Sequence, residues 1–116
     1  MQCADAVRIL EGSIDKIWRF LEDKSFADFS SDALVHDAVV RNLEIISDAS
    51  RHLSADTKAL APEVPWPEVA TMGNWLLHDY EKVNDQALWE TIQDGLPVLG
   101  KAARRLLIES GLSSPR

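Results

Sequence analysis

The segment DALVHDAVVRNLEIISDASRHL, residues 32–53, decides the fold of this chain. Its apolar residues recur at intervals of three and four, which is the period of an α-helix with one buried face. Ser31 or Asp32 has the short polar side chain expected of an N-cap. The segment therefore predicts a long amphipathic helix, whose apolar stripe is Val35, Ala38, Val39, Ile45, Ile46, Ala49 and Leu53.

Further helices are predicted on both sides of this segment. The first runs from about Ala4 to Glu22, and a break from Lys24 to Ser30 follows it. The prolines within Ser54 to Pro65 favour a connecting loop, because each proline biases the residue before it toward extended geometry. Pro67 suits the first position of the next helix, where its missing N–H costs nothing. The apolar stripe of the first helix is Val7, Leu10, Ile14, Ile17 and Leu21. That of the helix beginning near Pro67 is Val69, Met72, Leu76, Tyr80 and Val83.

The last helical region begins at Asn84 or Asp85. Gly95 and Pro97 predict a kink in it or a joint between two helices, and Gly111 suits a C-cap. Its apolar stripe is Trp89, Ile92, Leu96, Leu99, Ala103 and Leu106. We find no strand alternation and no repeat. The fold class is therefore all-α, an up-and-down helical bundle of four to five helices.

Composition and length indicate one folded domain, residues 1–116, because the chain is 46% apolar and long enough to bury a single core. The only cysteine, Cys3, cannot form an internal disulfide, so a reducing, cytoplasmic compartment is expected. Asp5, Arg8 and Glu11 interrupt the first apolar residues, and there is no run of about 18 apolar residues. Neither a signal peptide nor contact with a membrane is predicted.

The net charge of −7 disfavours a protein that binds nucleic acid by broad electrostatic attraction, so any such contact should be local. The one compact basic group is Lys101, Arg104 and Arg105. Three-to-four spacing places these side chains on one helix face, and a solvated face is the favoured interpretation. Glycine-rich phosphate loops, paired histidines and Cys-x-x-Cys are absent from the sequence, so no cofactor and no metal site is predicted.

Polar residues interrupt the apolar stripes at two places. Asn42 continues the stripe of the central helix, which favours either a core asparagine that links two helices or a polar group facing a cleft. In the helix that begins near Pro67, His78 lies one turn after Asn74, on a face beside the apolar stripe. Tyr80 lies on that stripe itself. A histidine in a cleft is a candidate general base, although a lone histidine is more often structural. The other two histidines, His36 and His52, lack a comparable polar setting and are interpreted as surface or boundary residues.

Five short segments, in this order, resemble the HepT family: RNLEII (41–46), PW (65–66), GNWLLHDY (73–80), Trp89 and DGLP (94–97). The resemblance covers nearly the whole chain. It implies a HEPN-type bundle that forms a homodimer and cuts RNA, tRNA or mRNA, without a metal. The implied motif is Arg, four residues, His, one residue and Tyr. His78 would then be the catalytic histidine, and Tyr80 the motif tyrosine.

Gly73 occupies the position of the family arginine. Metal-free cleavage of RNA accumulates negative charge on a phosphorane-like transition state, and arginine stabilises that charge. Little nuclease activity is therefore expected, and whether this chain is an active enzyme stays open. We interpret Gly73 as a lost arginine, by natural loss or by selection, with rescue by another cation such as Arg41 as a further alternative. A glycine that allows close helix approach is also possible.

The resemblance also implies that a nucleotidyltransferase antitoxin of the MntA kind transfers AMP from ATP onto Tyr80 and silences the toxin. ATP and Mg²⁺ would belong to that partner. Supporting roles around His78 are assigned to Asn42, Asn74, Asp48 and Asp79, while Trp66 and Trp89 are interpreted as packing anchors. Two other hypotheses remain, a non-catalytic subunit that docks a nucleotidyltransferase and a plain helical scaffold.

Overall fold

The structure is a computed structural model and describes residues 3–78 and 84–109. At residues 4, 77, 78 and 109 it describes the backbone alone. The described residues contain six α-helices. The all-α class is confirmed, and no strand occurs in these residues. The helices are α1 (Cys3–Phe20), α2 (Phe26–Ser31), α3 (Ala33–Ser50), α4 (Ala55–Ala59), α5 (Trp66–His78) and α6 (Asp85–Glu109).

Helix α3 is the central element. It packs against α1 on one side and α5 on the other, while α6 packs on α1 and the short α2 touches both α3 and α6. Of the two predicted caps, Asp32 is the one that caps α3, because its carboxylate accepts hydrogen bonds from the backbone N–H of Leu34 and Val35. The apolar stripe predicted for α3 omits two apolar residues that are buried in the structure. Val40 and Leu43 are also buried, since neighbours cover α3 from two sides.

The predicted break before α3 contains a helix instead. Ser25 and Asp28 form a capping box, in which the Asp28 N–H donates to the Ser25 hydroxyl and the Ser25 N–H donates to the Asp28 carboxylate. This reciprocal pair satisfies backbone donors that a short helix would otherwise leave open. The turn also buries Phe29 completely, so packing stabilises a segment too short to show helical periodicity.

The predicted loop from Ser54 to Pro65 also contains a short helix, α4, capped by the Ser54 hydroxyl. The prolines do lie outside helix interiors, but α5 begins at Trp66, one residue before the predicted Pro67. The Trp66 indole N–H donates to the carbonyls of Lys58 and Ala61, at 3.2 and 3.1 Å. Trp66 is thus the packing anchor that was predicted, and it holds the connection against α5.

Helix α6 runs through Gly95 and Pro97 as one element, so of the two predicted alternatives the joint between two helices is wrong. Leu96 and Leu99 are buried on the same face as Ile92, so the packing of this face continues past Pro97, which removes one backbone donor. Asn84 caps the helix through hydrogen bonds from the N–H groups of Gln86 and Ala87. The predicted Tyr80, Val83 and Gly111 lie outside the described residues. In the described helices we find none that could span a membrane.

Candidate functional site

The contact between α3 and α5 is built around Ser47 and Gly73. Ser47 is fully buried, and its hydroxyl accepts a hydrogen bond from the Gly73 N–H and donates one to the Ala70 carbonyl, both at 2.9 Å. Arg51, one turn after Ser47, bonds to the same Ala70 carbonyl. Ser47 and Arg51 thus join the C-terminal part of α3 to one turn of α5.

Gly73 leaves no room for a side chain. A Cβ atom at this position would lie 2.8 Å from the Ser47 Oγ and 3.1 Å from the Ser47 Cβ. Atoms that close repel, and rotating the Ser47 hydroxyl away would break two buried hydrogen bonds. The structure therefore shows a close approach of α5 to α3 at Gly73, which was one of the alternatives left open by the sequence.

Arg51 is the cation next to Gly73. Its Nη1 donates to the Ala70 carbonyl at 2.6 Å, lies 3.4 Å from the Ser47 Oγ, and would lie 3.9 Å from a Gly73 Cβ. Its Nη2 is 3.4 Å from the Asp48 carboxylate. Sequence reasoning missed Arg51. The available signal was its position one turn beyond Ser47, but nothing in the sequence shows that this face of α3 meets Gly73.

Asn42 is buried, with 7% of its surface exposed, as its place on the stripe predicted. Its amide Nδ2 donates to the Ala38 carbonyl of the same helix at 2.9 Å. Its Oδ1 is buried and has no hydrogen-bond partner among the described residues. The predicted link between two helices is therefore not made by any described hydrogen bond. A buried acceptor without a partner costs about 1–3 kcal/mol, so Asn42 is a costly residue for the core.

The predicted histidine cluster is only partly described. Asn74 is exposed on α5, and the neighbouring Trp75 keeps 41% of its surface exposed. His78 is the last residue of α5, so its backbone continues the face of Asn74 one turn on. The side chain of His78 and the whole of Asp79 and Tyr80 lie outside the described residues.

Asp48, the predicted supporting acid on α3, is exposed and pairs with Arg51, and the His52 Nε2 lies 4.0 Å from the Asp48 carboxylate. Glu44 is half-buried and pairs with the exposed Arg41 at 3.4 Å. Asp48 thus contacts Arg51, which in turn bonds to the Ala70 carbonyl beside Gly73. Arg41, the cation that was considered as a replacement, contacts Glu44 instead.

His36 has a more polar setting than predicted. Its Nε2 lies 2.9 Å from the Asp85 carboxylate and its Nδ1 lies 3.4 Å from Asp37, while the ring packs on Phe29 with centroids 5.0 Å apart. The Ser30 hydroxyl donates to the other Asp85 oxygen at 3.0 Å. His36 is thus a boundary residue that ties α3 to the start of α6. His52 is exposed, as expected.

The basic group near the C-terminal end of α6 divides into two parts. Lys101 and Arg104 are exposed, which fits a solvated face. Arg105 instead reaches the connection before α5, where Nη1 is 2.7 Å from the Glu63 carboxylate and Nη2 donates to the Leu60 carbonyl at 3.0 Å. The hydrogen bond from Arg105 lowers the pKa of Glu63 below its ordinary value.

A groove of about 630 Å³ lies between α3, α5 and α6. Its floor is apolar, and its margins carry four carboxylates that would repel RNA. The described residues contain no group of three or more His, Cys, Asp or Glu side chains placed to hold a metal ion. The groove is therefore poorly suited to phosphate, whereas the contact of Ser47 and Gly73 has a cation, Arg51, beside it. The groove is lined by Leu43, Val69, Met72, Leu96 and Leu99, with Glu63, Glu68, Glu90 and Asp94 at its margins.

Comparison with known proteins identifies relatives along most of the chain. The chain is 38% identical over 95 residues to a protein of Thermococcus cleftensis named "Probable ribonuclease HepT", an alignment covering 82% of this chain and 86% of the relative. It is 40% identical over 83 residues to a candidate RNase of Caldanaerobacter subterraneus, covering 72% and 74%, respectively. A candidate RNase of Methanocaldococcus jannaschii is 34% identical over 93 residues, covering 80% and 84%.

No solved structure matches the chain. The sequence profile of the family described as "Ribonuclease HepT-like" matches residues 10–106. This range begins within α1, ends within α6, and takes in both helices of the Ser47 and Gly73 contact. The resemblance inferred from five short segments is thus confirmed, and the chain belongs to the HepT-like ribonuclease family.

Proposed function

We propose that this protein is the toxin subunit of a HepT/MntA-type toxin–antitoxin pair, a metal-independent ribonuclease that acts on tRNA or mRNA in the cytoplasm. The observation that carries the proposal is the family match across residues 10–106. His78 is the proposed general base, and Gly73 makes the activity weak. The protein works as a homodimer, in which residues of two protomers meet at one cleft.

His78 supplies the proton transfer in this proposal. Its neutral imidazole takes the proton of a ribose 2′-hydroxyl, the 2′-oxygen bonds to the adjacent phosphorus, and the bond to the 5′-oxygen breaks as that oxygen takes a proton from water. Asn42 is proposed to support this role, because its buried Oδ1 has no hydrogen-bond partner among the described residues and an amide oxygen accepts from a ring N–H. Asn74, Asp48 and Asp79 are proposed to hold the ring or water in place.

Gly73 provides no charge for the transition state. Losing one preorganised donor typically reduces the rate about a hundredfold to a thousandfold. The net charge of −7 adds no general attraction for RNA. We therefore expect slow cleavage that depends on His78, without a metal ion.

Tyr80 is the proposed site of silencing. The phenol oxygen attacks the α-phosphorus of ATP held by the antitoxin, pyrophosphate leaves, and the phenol proton is released. The added adenylyl group brings a negative charge and bulk that repel RNA phosphate. The ATP and Mg²⁺ belong to the nucleotidyltransferase, not to this chain.

A second candidate function is a non-catalytic subunit that docks a nucleotidyltransferase and presents Tyr80. One observation favours it. The space that an arginine on α5 would need at Gly73 is filled by Ser47, so the helix contact is adapted to the glycine.

The test compares cleavage of total RNA by the unmodified protein and by a repaired variant. Gly73→Arg by itself would force Ser47 away, so the repaired variant is Ser47→Gly/Gly73→Arg, in which both close contacts are removed. The control adds His78→Ala to the repaired variant. Light scattering on the same samples measures whether the mass is about twice 12.9 kDa.

The expected result is strong cleavage by the repaired variant, weak cleavage by the unmodified protein, and none after His78→Ala. A dimeric mass and an adenylyl mass gain that Tyr80→Phe prevents, in the presence of the antitoxin and ATP, are expected as well. If the repaired dimer folds but does not cut RNA, the docking subunit becomes the better account. A monomer at micromolar concentration would contradict the shared cleft.

A further inference from the structure

We infer that Arg51 contacts the RNA phosphate in place of the arginine missing at Gly73. This inference rests on the proposed ribonuclease function and adds a residue to it. Arg51 is the C-cap of α3, one residue beyond the end of that helix, and lies outside the Arg-x₄-His segment. It therefore brings to the contact a positive charge that α5 itself lacks.

The direction in which helical side chains point places Arg51 in the region that an arginine at position 73 would occupy. A side chain on a helix points back toward the N-terminus and covers the turn before its own Cα. An arginine at Gly73 would thus lie over Ala70. The guanidinium of Arg51 occupies this region, with Nη1 2.6 Å from the Ala70 carbonyl and 3.9 Å from the place of a Gly73 Cβ.

Three contacts hold the guanidinium in position. Nη1 bonds to the Ala70 carbonyl and approaches the buried Ser47 hydroxyl, and Nη2 faces Asp48. Arg51 is the C-cap of α3, and the partial negative charge at the C-terminal end of a helix favours a cation there. A side chain held in this way loses less freedom when it binds a ligand.

The guanidinium nevertheless remains available to a ligand. Its side chain is 43% exposed, and the Asp48 carboxylate that faces it is 59% exposed. An ion pair between such exposed groups is weak and is screened by solvent. Guanidinium has five N–H donors, more than the three described contacts use, and its planar geometry suits a phosphate.

The experiment measures cleavage of a labelled single-stranded RNA by Arg51→Ala, Arg51→Gln and Arg51→Lys. Arg51→Ala should slow cleavage about a hundredfold, as expected for loss of a preorganised donor. Arg51→Lys keeps the charge and should recover part of the rate. Arg51→Gln keeps a donor for the Ala70 carbonyl but no charge, and should cut no better than Arg51→Ala. Arg19→Ala, an exposed arginine on α1, is the matched control and should cut normally.

A second readout separates phosphate contact from helix packing. In a His78→Ala background, the slope of log binding constant against log salt concentration should become shallower by about 0.7 for each phosphate contact that Arg51→Ala removes. Arg51→Lys should keep the slope. Thermal unfolding by circular dichroism shows whether each variant folds.

Other results would overturn the inference. Normal cleavage by Arg51→Gln would mean that Arg51 only ties α3 to α5, and loss of cleavage in Arg41→Ala but not in Arg51→Ala would assign the role to Arg41. If Ser47→Gly/Gly73→Arg cuts but the unmodified protein does not, Arg51 fails as a replacement while the proposed function stands. If neither cuts, both fail together.

Discussion

Ser47 and Gly73 show at the scale of single residues that two positions are adapted to each other. The glycine supplies space and a backbone N–H, and the serine fills that space and bonds to the N–H at 2.9 Å. A change at either position therefore affects the other. This pairing explains how a glycine in the middle of α5, which costs about 1 kcal/mol relative to alanine in helix propensity, is accommodated.

Gly73→Ala should lower the free energy of unfolding by about 1–2 kcal/mol, because the new methyl group would lie 2.8 Å from the Ser47 Oγ. Gly12→Ala is the matched control, since a Cβ there meets nothing within 4 Å and helix propensity should raise stability by about 1 kcal/mol. Urea unfolding followed by circular dichroism measures both. An equal gain in stability from the two substitutions would contradict the close contact.

At the scale of elements, caps explain where the helices begin. Asp32 both ends α2, through its N–H to the Asp28 carbonyl, and begins α3, through its carboxylate. Asn84 begins α6, and the next residue, Asp85, bonds to Ser30 and His36. The start of α6 is thus fixed to α2 and α3 by polar contacts as well as by the rings of Phe29 and Trp89.

Asp32→Ala should reduce the free energy of unfolding by about 1 kcal/mol, because α3 then loses the acceptor for its first N–H groups. Asp32→Asn keeps an acceptor oxygen and should lose much less. Chemical unfolding of the two variants and the parent provides the measurement. The capping role would be wrong if alanine and asparagine had the same effect.

At the scale of the whole molecule, Arg105 on α6 bonds to the segment that precedes α5. Its bonds to Glu63 and Leu60 hold α6 against the connection that leads into α5. The pKa of Glu63 is lowered by this hydrogen bond. A carboxylate with a lowered pKa contributes stability above its unfolded pKa, and this contribution is lost as the pH falls through the folded pKa.

Glu63→Gln should therefore reduce the melting temperature slightly at pH 7, and the difference from the parent should shrink as the pH falls below 4.5, the ordinary pKa of the group. The effect is small because both partners are more than a third exposed. Glu68→Gln is the control, since Glu68 has no described ion pair. Thermal unfolding between pH 7 and pH 3 makes the comparison. A difference that stayed unchanged from pH 7 down to pH 3 would count against the ion pair.

The sequence by itself determined the fold class, most of the buried stripes and the family, because these depend on local periodicity and ordered motifs. It narrowed the start of α3 to Ser31 or Asp32 and that of α6 to Asn84 or Asp85, of which Asp32 and Asn84 are the caps in the structure. It failed for α2, α4 and the continuity of α6, where burial of Phe29, a serine cap and packing on both sides of Pro97 outweigh local signals. Only the tertiary structure showed that Arg51 meets Gly73, because which faces of two helices touch is decided by packing between segments distant in the chain.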